Sequence, residues 1–367
     1  MRFLFLLVVL GVMAAGAALW AQANWDAPGP QAPWGEETVI LVAPHSRAHD
    51  IAQLLEQKGV IRSGLLFEAD LRLRGLASKM KAGEFAIPSR ASLSAIATIL
   101  VEGRSIQHKL TAAEGLTSDM IWKLVQKHPV LTGDAGPVPE EGSLLPETYL
   151  FTRGETRAHL LAKMARARDA FLAEKWASRA PGLPLASQRE ALILASIVEK
   201  ETSLPRERRH IAAIFVNRLK IGMRLQTDPT IIYDLTKGYP LGRGIRASEL
   251  AAATPYNTYV IAGLPPGPIC NPGKDSIAAV LNPEANGDLY FVATGHGGHA
   301  FAATIAEQAR NVAAYRAFER RNQASEIQPE SRQVEVNDRL ENPPISIPDA
   351  MAPKLPALPK KRVRRHR

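Results

Sequence analysis

One cysteine, Cys270, occurs in 367 residues, so no intrachain disulfide can staple the chain and its stability must come from packing. No histidine-bearing motif stands beside Cys270, which reads as a buried, inert thiol rather than a nucleophile. Metal-ligand spacing is missing as well. His296 and His299 have neither a third ligand nor a helical HExxH context, so no metal is expected, and no cofactor is implied.

Charge is absent from Phe3 to Ala21 in "MRFLFLLVVLGVMAAGAALWA". About 20 apolar residues suffice to cross a ~30 Å hydrocarbon layer, and residues 1–23 read as a retained membrane anchor. A cleavable signal peptide is the rival, because Ala21-Gln22-Ala23 has a small-x-small form, although its apolar region should be only about 7–15 residues long. Arg2 precedes the apolar run, and Asp26, Glu36 and Glu37 follow it before the first base, Arg47. Positive-inside bias then leaves the N-terminus cytoplasmic and the bulk of the chain outside.

Acids are absent from the terminal "KKRVRRHR", which supplies six of the nine net positive charges. The body is therefore only mildly basic. The Pro-rich, basic stretch 323–367 is expected to be disordered; it could meet anionic lipid or wall polymer, with a solvated end as the plainer reading. Nucleic acid is not an expected partner.

What is present suffices for a sizeable core, with 46% hydrophobic residues and room for two modules. Residues 24–37 carry Pro, Gly and Ala without a helical or strand period and read as an extended linker. From Thr38 a strand, "ETVILVAPHS", leads into a helix with Ile51, Leu54 and Leu55 at helical spacing; a second strand and a helix with Leu93, Ile96, Ile99 and Leu100 follow. Residues 38–106 thus form a small α+β module with loose internal similarity. Its helix starts, Ser46 to Ala52 and Leu93 to Ala97, are similar to those of LysM-like wall-glycan binders. A larger mixed α/β region with a helical core is expected over 107–322, giving an α+β chain overall.

In "SQREALILASIVEKET" the pair Ser187 and Glu190 forms a capping-box signature, predicting a helix from about Gln188 to Glu201. At about 100° per residue, Glu199 and Glu201 point about 200° apart, so a regular helix cannot present both to one substrate. Leu194, Ile197 and Val198 lie within about 60° of Glu201, whereas Glu199 shares a face with Leu192, Ala195 and Ser196. A carboxyl against apolar side chains is raised in pKa, as a general acid near neutral pH requires. The competing reading makes both acids solvated residues at a helix end.

A second amphipathic helix, "ERRHIAAIFVNRL", leads into Gln226, Thr227 and Asp228 before Pro229, giving amide, hydroxyl and carboxylate groups suited to a sugar; a plain Asp-Pro turn is the alternative. "TPYNTYVIAGLPPGPICNPG", stiffened by four prolines, and the Gly/His turn of "LYFVATGHGGHAF" could wall a cleft.

These stretches resemble the endolytic murein transglycosylases of the MltG (YceG-like) family. "ASIVEKET", "ERRHIAAIFVNRLKIGMRLQTDPTIIY", "YNTYVIAGLPPGPICNPGKDSI" and "LYFVATGHGGHAF" stand in the family's order, and the similarity runs roughly from Thr38 to Arg316. "EGSLLPETYLF" is similar to a further motif, with Glu147 where aspartate is usual.

The resemblance implies a lyase that cuts MurNAc-to-GlcNAc bonds inside peptidoglycan strands and leaves 1,6-anhydromuramyl ends. It also implies anchoring in the inner membrane with the working parts periplasmic, and work beside peptidoglycan synthases such as penicillin-binding proteins. By the same likeness Glu201 is the catalytic acid and base. Gln226, Thr227, Asp228, Asn257 and Tyr259 are expected to bind substrate or orient Glu201, and Glu199 and Asn217 to support the site. A hydrolase in which Asp228 activates water, and a wall-binding protein without catalysis, are the other readings. An aminodeoxychorismate lyase would need a lysine in a phosphate-binding site for pyridoxal phosphate, and nothing in the sequence suggests one.

Overall fold

The computed structural model describes residues 2–33 and 35–326, the side chains of 2–7, 10, 14, 17, 18 and 323–326 excepted. An N-terminal helix α1 (Arg2–Asp26) leads to a first module made of β1 (Glu37–Val42), α2 (Ala48–Gln57), α3 (Gly64–Leu73), β2 (Gly83–Pro88) and α4 (Leu93–Val101). β1 and β2 pair antiparallel, from Glu37↔Pro88 to Val42↔Gly83. The two strands expected to head separate strand–helix units are thus partners in one sheet. Between them stands α3, which the sequence reading did not anticipate.

Ile40, Val42, Phe85 and Ile87 point inward from the sheet onto Ile51, Leu55, Phe67, Leu71, Ile96 and Leu100. This alternation follows from the period of 2 along a strand. Ser63 and Ser92 cap α3 and α4 by accepting from Leu66 N and Ala95 N, satisfying donors that helix starts leave open.

The stretch expected as an extended linker, 24–37, is seated on this module. α1 continues through Trp25, which is 5% exposed within the module's core. Gly29 N donates to Arg90 O, Arg90 N to Pro30 O and Ala32 N to Ser89 Oγ. An aromatic and several backbone groups find partners here, which a solvated spacer would not supply. Of the anchor expected over 1–23, the side chains of 1–7, 10, 14, 17 and 18 lie outside the described set. Among the described residues no helix is long and apolar enough to cross a membrane.

The second region opens with β3 (His108–Thr111), α5 (Ser118–Lys127), β4 (Thr148–Phe151) and α6 (Arg157–Ala177). β3 and β4 pair antiparallel and, with α5 and the start of α6, bury Leu110, Ile121, Val125, Tyr149, Phe151 and Leu160. Glu84 of β2 ties the two regions together, meeting His108 Nε2 at 2.6 Å and Arg153 Nε at 2.9 Å.

The third cluster is helical: α7 (Gln188–Glu201), α8 (Pro205–Lys220), α9 (Asp228–Thr236), the short α10 (Ala247–Leu250) and α11 (Lys274–Leu281). The hairpin β5 (Tyr290–Ala293) and β6 (His299–Ala302) follows, then α12 (Ile305–Glu326). The fold is mixed α+β, and among the described residues every sheet is a two-stranded antiparallel pair. The Pro-rich tail expected from 323 lies outside the described residues from 327 onward, and α12 continues past its expected start.

Candidate active site

Ser187 Oγ accepts from Glu190 N at 3.2 Å, starting α7 where the sequence places it. The second half of the capping box differs: Glu190 Oε2 accepts from Ala186 N rather than from Ser187 N. From Ala191 to Val198 every residue of α7 is buried, because α6, α8, α9 and α11 surround it. Such a helix is apolar all round rather than amphipathic. The apolar stripe therefore does not separate Glu199 from Glu201, as the sequence argument supposed; their partners do.

The Glu199 side chain is 6% exposed, accepts from Gly273 N at 2.9 Å and lies 3.8 Å from Arg208 Nη2. Arg208 also faces Asp275 at 3.2 Å and Glu114 at 3.9 Å. A β-carbon on Gly273 would fall 1.8 Å from Glu114 Oε1, so a side chain there would displace the half-exposed Glu114 from this acid–arginine cluster. Glu199 is thus held in place by Gly273 and Arg208 as a structural group.

Glu201 meets different surroundings. The residue keeps some surface, yet burial desolvates its carboxyl and raises its pKa. A hydrogen bond from Thr227 Oγ1 to Oε1 opposes the rise; the nearby negative Asp228 adds to it, and His299 and Arg218 offset part of it. A carboxyl raised in this way can hold a proton for delivery to a leaving group.

The loop that brings Thr227 to Glu201 is pinned from behind. Arg218, on α8 and buried, donates through Nε to Leu289 O at 2.7 Å and through Nη1 to Leu225 O. Gln226 N donates to Thr258 O at 3.1 Å, with Gln226 in the left-handed region at φ 49°. A non-glycine residue adopts that conformation only where its surroundings impose it. Thr227 N then donates to Thr258 Oγ1 at 3.0 Å, Thr258 and Thr230 share a hydroxyl contact at 3.0 Å, and Thr230 Oγ1 donates to Thr227 O at 2.8 Å. All three threonines are buried.

Asp228 starts α9 and is exposed; it accepts from Tyr259 Oη at 2.6 Å. Burial and the Asp228 carboxylate push the Tyr259 phenol up, so it stays a donor. Gln226 is exposed beside them. Glu201, Gln226, Thr227, Asp228 and Tyr259 therefore come together. Two expected residues do other work. Asn257 is buried, donating to Ala252 O, Leu250 O and Glu249 O and accepting from Tyr259 N, which braces the loop behind Tyr259. Asn217 donates to Asn286 O and Asp288 O, both at 3.1 Å, and pins the approach to β5. Glu147 pairs with Lys274 at 2.8 Å.

His299 Nδ1 meets Glu207 Oε2 at 2.8 Å, while His296 packs edge-on to Phe318. Among the described residues no group of histidine, cysteine and acid side chains is arranged to hold a metal. Cys270 is fully buried, donates to Ser196 O, and burial raises its thiol pKa well above the ordinary value. Arg218, Thr230, Thr258 and the Glu207–His299 pair were missed in the sequence. All five stood in motifs singled out there, but only His299 was named, and as a poor metal ligand.

The model of the YceG-like family matches residues 40–314, most of the chain and the whole of this site. The chain belongs to the YceG-like family. The endolytic murein transglycosylase of Bacillus subtilis (strain 168) is 30% identical over 299 residues, covering 73% of this YceG-like chain and 82% of the relative. That of Streptococcus pneumoniae serotype 2 (strain D39) is 28% identical over 337 residues, covering 78% of this chain and 60% of the longer relative. A crystal structure of a putative YceG-like protein from Listeria monocytogenes is 28% identical, covers 75% of this chain and 98% of its own, and superposes with a TM-score of 0.47.

Proposed function

We propose that this chain is an endolytic murein transglycosylase, a lyase acting on peptidoglycan glycan strands. The observation that carries the reading is Glu201, a carboxyl desolvated at the end of a buried helix and held by Thr227 in a family whose curated relatives bear that name. Glu201 protonates the glycosidic oxygen as the MurNAc-to-GlcNAc bond breaks. Its carboxylate then takes the proton of the MurNAc C6 hydroxyl as that oxygen attacks C1, and a 1,6-anhydro end results. One carboxyl serves both steps because the nucleophile belongs to the sugar, whereas hydrolysis usually uses a second carboxylate. The Asp228–Tyr259 pair and Gln226 flank this acid and bind the sugar's N-acetyl or hydroxyl groups.

A second reading rests on Asp228, exposed and close enough to perturb Glu201, which could instead activate water. Digestion of purified peptidoglycan, with products resolved by mass, separates the two. The expected result is internal fragments with anhydromuramyl ends, reduced about 10²–10⁴-fold in Glu201→Gln and retained in Glu199→Gln. Reducing ends would make the protein a hydrolase, and loss confined to Glu199→Gln would move the acid to that residue.

The same reading places α1 in the inner membrane, with the catalytic region periplasmic and peptidoglycan synthases as partners. Support comes from the uncharged run between Phe3 and Ala21 and from Val8, Val12, Met13, Leu19 and Trp20, all more than half exposed on α1. The first module, ordered strand–helix–helix–strand, would act as the LysM-like glycan-binding unit; strand-binding assays on a Val39→Asp, Leu41→Asp variant, altered on the outer sheet face, would test it.

A further inference from the structure

Among the described residues, the exposed face of α3 has no partner. Leu65, Leu66 and Leu73 are 79, 43 and 82% exposed, and Ala69 and Arg72 are open between them. At about 100° per residue these five side chains fall within an arc of about 120°. Both acids of the helix are withdrawn from that surface. Glu68 and Asp70 are buried, and Glu68 is paired with Arg72 and with His49 at 2.9 Å. Exposed Arg62 and Arg74 flank the helix. The face is leucine and arginine without an exposed carboxylate.

Both ends of α3 touch the last turns of α1 and the segment that follows. Trp25 stacks on Phe67 with centroids 6.3 Å apart. The Arg74 guanidinium lies 4.4 Å over the Trp25 ring and donates to Gln22 Oε1 at 2.8 Å. At the other end Arg62, Ser63 and Leu66 line one cavity with Asn24, Ala27 and Pro28. The leucine–arginine face is therefore fixed beside the point where α1 leaves the module.

We propose that this face of α3 lies on the anionic headgroups of the bilayer that α1 enters. The inference rests on the anchor reading of α1. Leucines on one arc insert at the headgroup boundary and arginines meet lipid phosphates, the pattern by which an amphipathic helix lies in a membrane interface. A helix already tethered at that height needs little apolar area to settle there.

Because Cys270 is buried and its thiol held neutral, a cysteine introduced into the full chain is the one position that labels in the folded protein. Leu73→Cys, and Leu65→Cys as an independent second site, are labelled with an environment-sensitive fluorophore. The protein is reconstituted with phosphatidylcholine vesicles, with and without phosphatidylglycerol. Leu124→Cys on α5, 42% exposed, is the control. The expected result is that the protein floats with both vesicle types, while the α3 labels are quenched by shallow lipid-borne quenchers at least about twofold more than the control, and more strongly with phosphatidylglycerol. A protein that floats but leaves its α3 labels as open to aqueous quencher as Leu124→Cys overturns the proposal and keeps the anchor. One that does not float overturns both.

Discussion

Glu199 and Glu201 leave the last turn of the same buried helix and enter opposite electrostatic surroundings: Glu199 lies 3.8 Å from Arg208, while Glu201 is raised in pKa by burial and by Asp228. The first carboxyl faces an arginine, and burial favours the second as an acid. Two residues of separation turn them to different sides, and the neighbours on each side do the rest.

Glu201→Gln is expected to stabilise the protein at neutral pH while removing activity. A raised folded-state pKa means that the folded chain binds the Glu201 proton more tightly than the unfolded chain. Stability then falls as pH rises from the ordinary value near 4.5 through the raised one, and the deficit is fully present above it, about 1.4 kcal/mol for each pH unit between the two. Urea unfolding of both proteins from about pH 4 to 8 should show curves that meet at the acid end and separate in favour of the variant.

Thr227→Val removes the hydrogen bond that favours the Glu201 carboxylate. The Glu201 pKa should climb further, so the basic limb of the pH–rate profile moves to higher pH. The maximal rate should fall about tenfold, since the carboxylate left by the first step loses its donor. A profile with unchanged limbs would show that Thr227 does not tune the acid.

Arg208→Met should cost about 3 kcal/mol, because Glu199 is left buried without its cation. Glu199→Gln in the same background should recover part of that loss. A double-mutant cycle by denaturant unfolding measures the coupling, which vanishes if Arg208 merely packs.

Gln226 tests the left-handed backbone of the catalytic loop. Glycine at this position relieves the strain and should leave stability level or slightly higher, whereas Gln226→Ile should lose at least about 1 kcal/mol. If the Gln226 side chain binds the sugar, the glycine variant shows a raised KM with little change in kcat.

Helix starts marked by local chemistry were legible in the sequence. Ser187 with Glu190 sets the beginning of α7, and alternating residues such as Ile40 and Val42 mark β1. α3 was not, because its exposed side carries Leu65 and Leu73 while its acids turn inward, the reverse of the pattern that signals a surface helix. The segment Gln226–Asp228 stood out as a polar run, yet Thr258 and Thr230, which hold it, are specified only once distant loops meet. Asn257 looked like a binding residue because a polar side chain in a loop reads the same whether it meets a ligand or its own backbone.

The three buried threonines have a directional consequence. Thr258 Oγ1 accepts from Thr227 N, Thr230 Oγ1 donates to Thr227 O, and the Thr258 hydroxyl is left to donate to Thr230 Oγ1 at 3.0 Å or to Thr227 O at 3.4 Å. The hydrogen bonds close on the Thr227 peptide, ending at a carbonyl, which cannot pass a proton onward. They clamp the loop at both the N–H and the C=O of Thr227, so the hydroxyl that donates to Glu201 is preorganised before any sugar arrives.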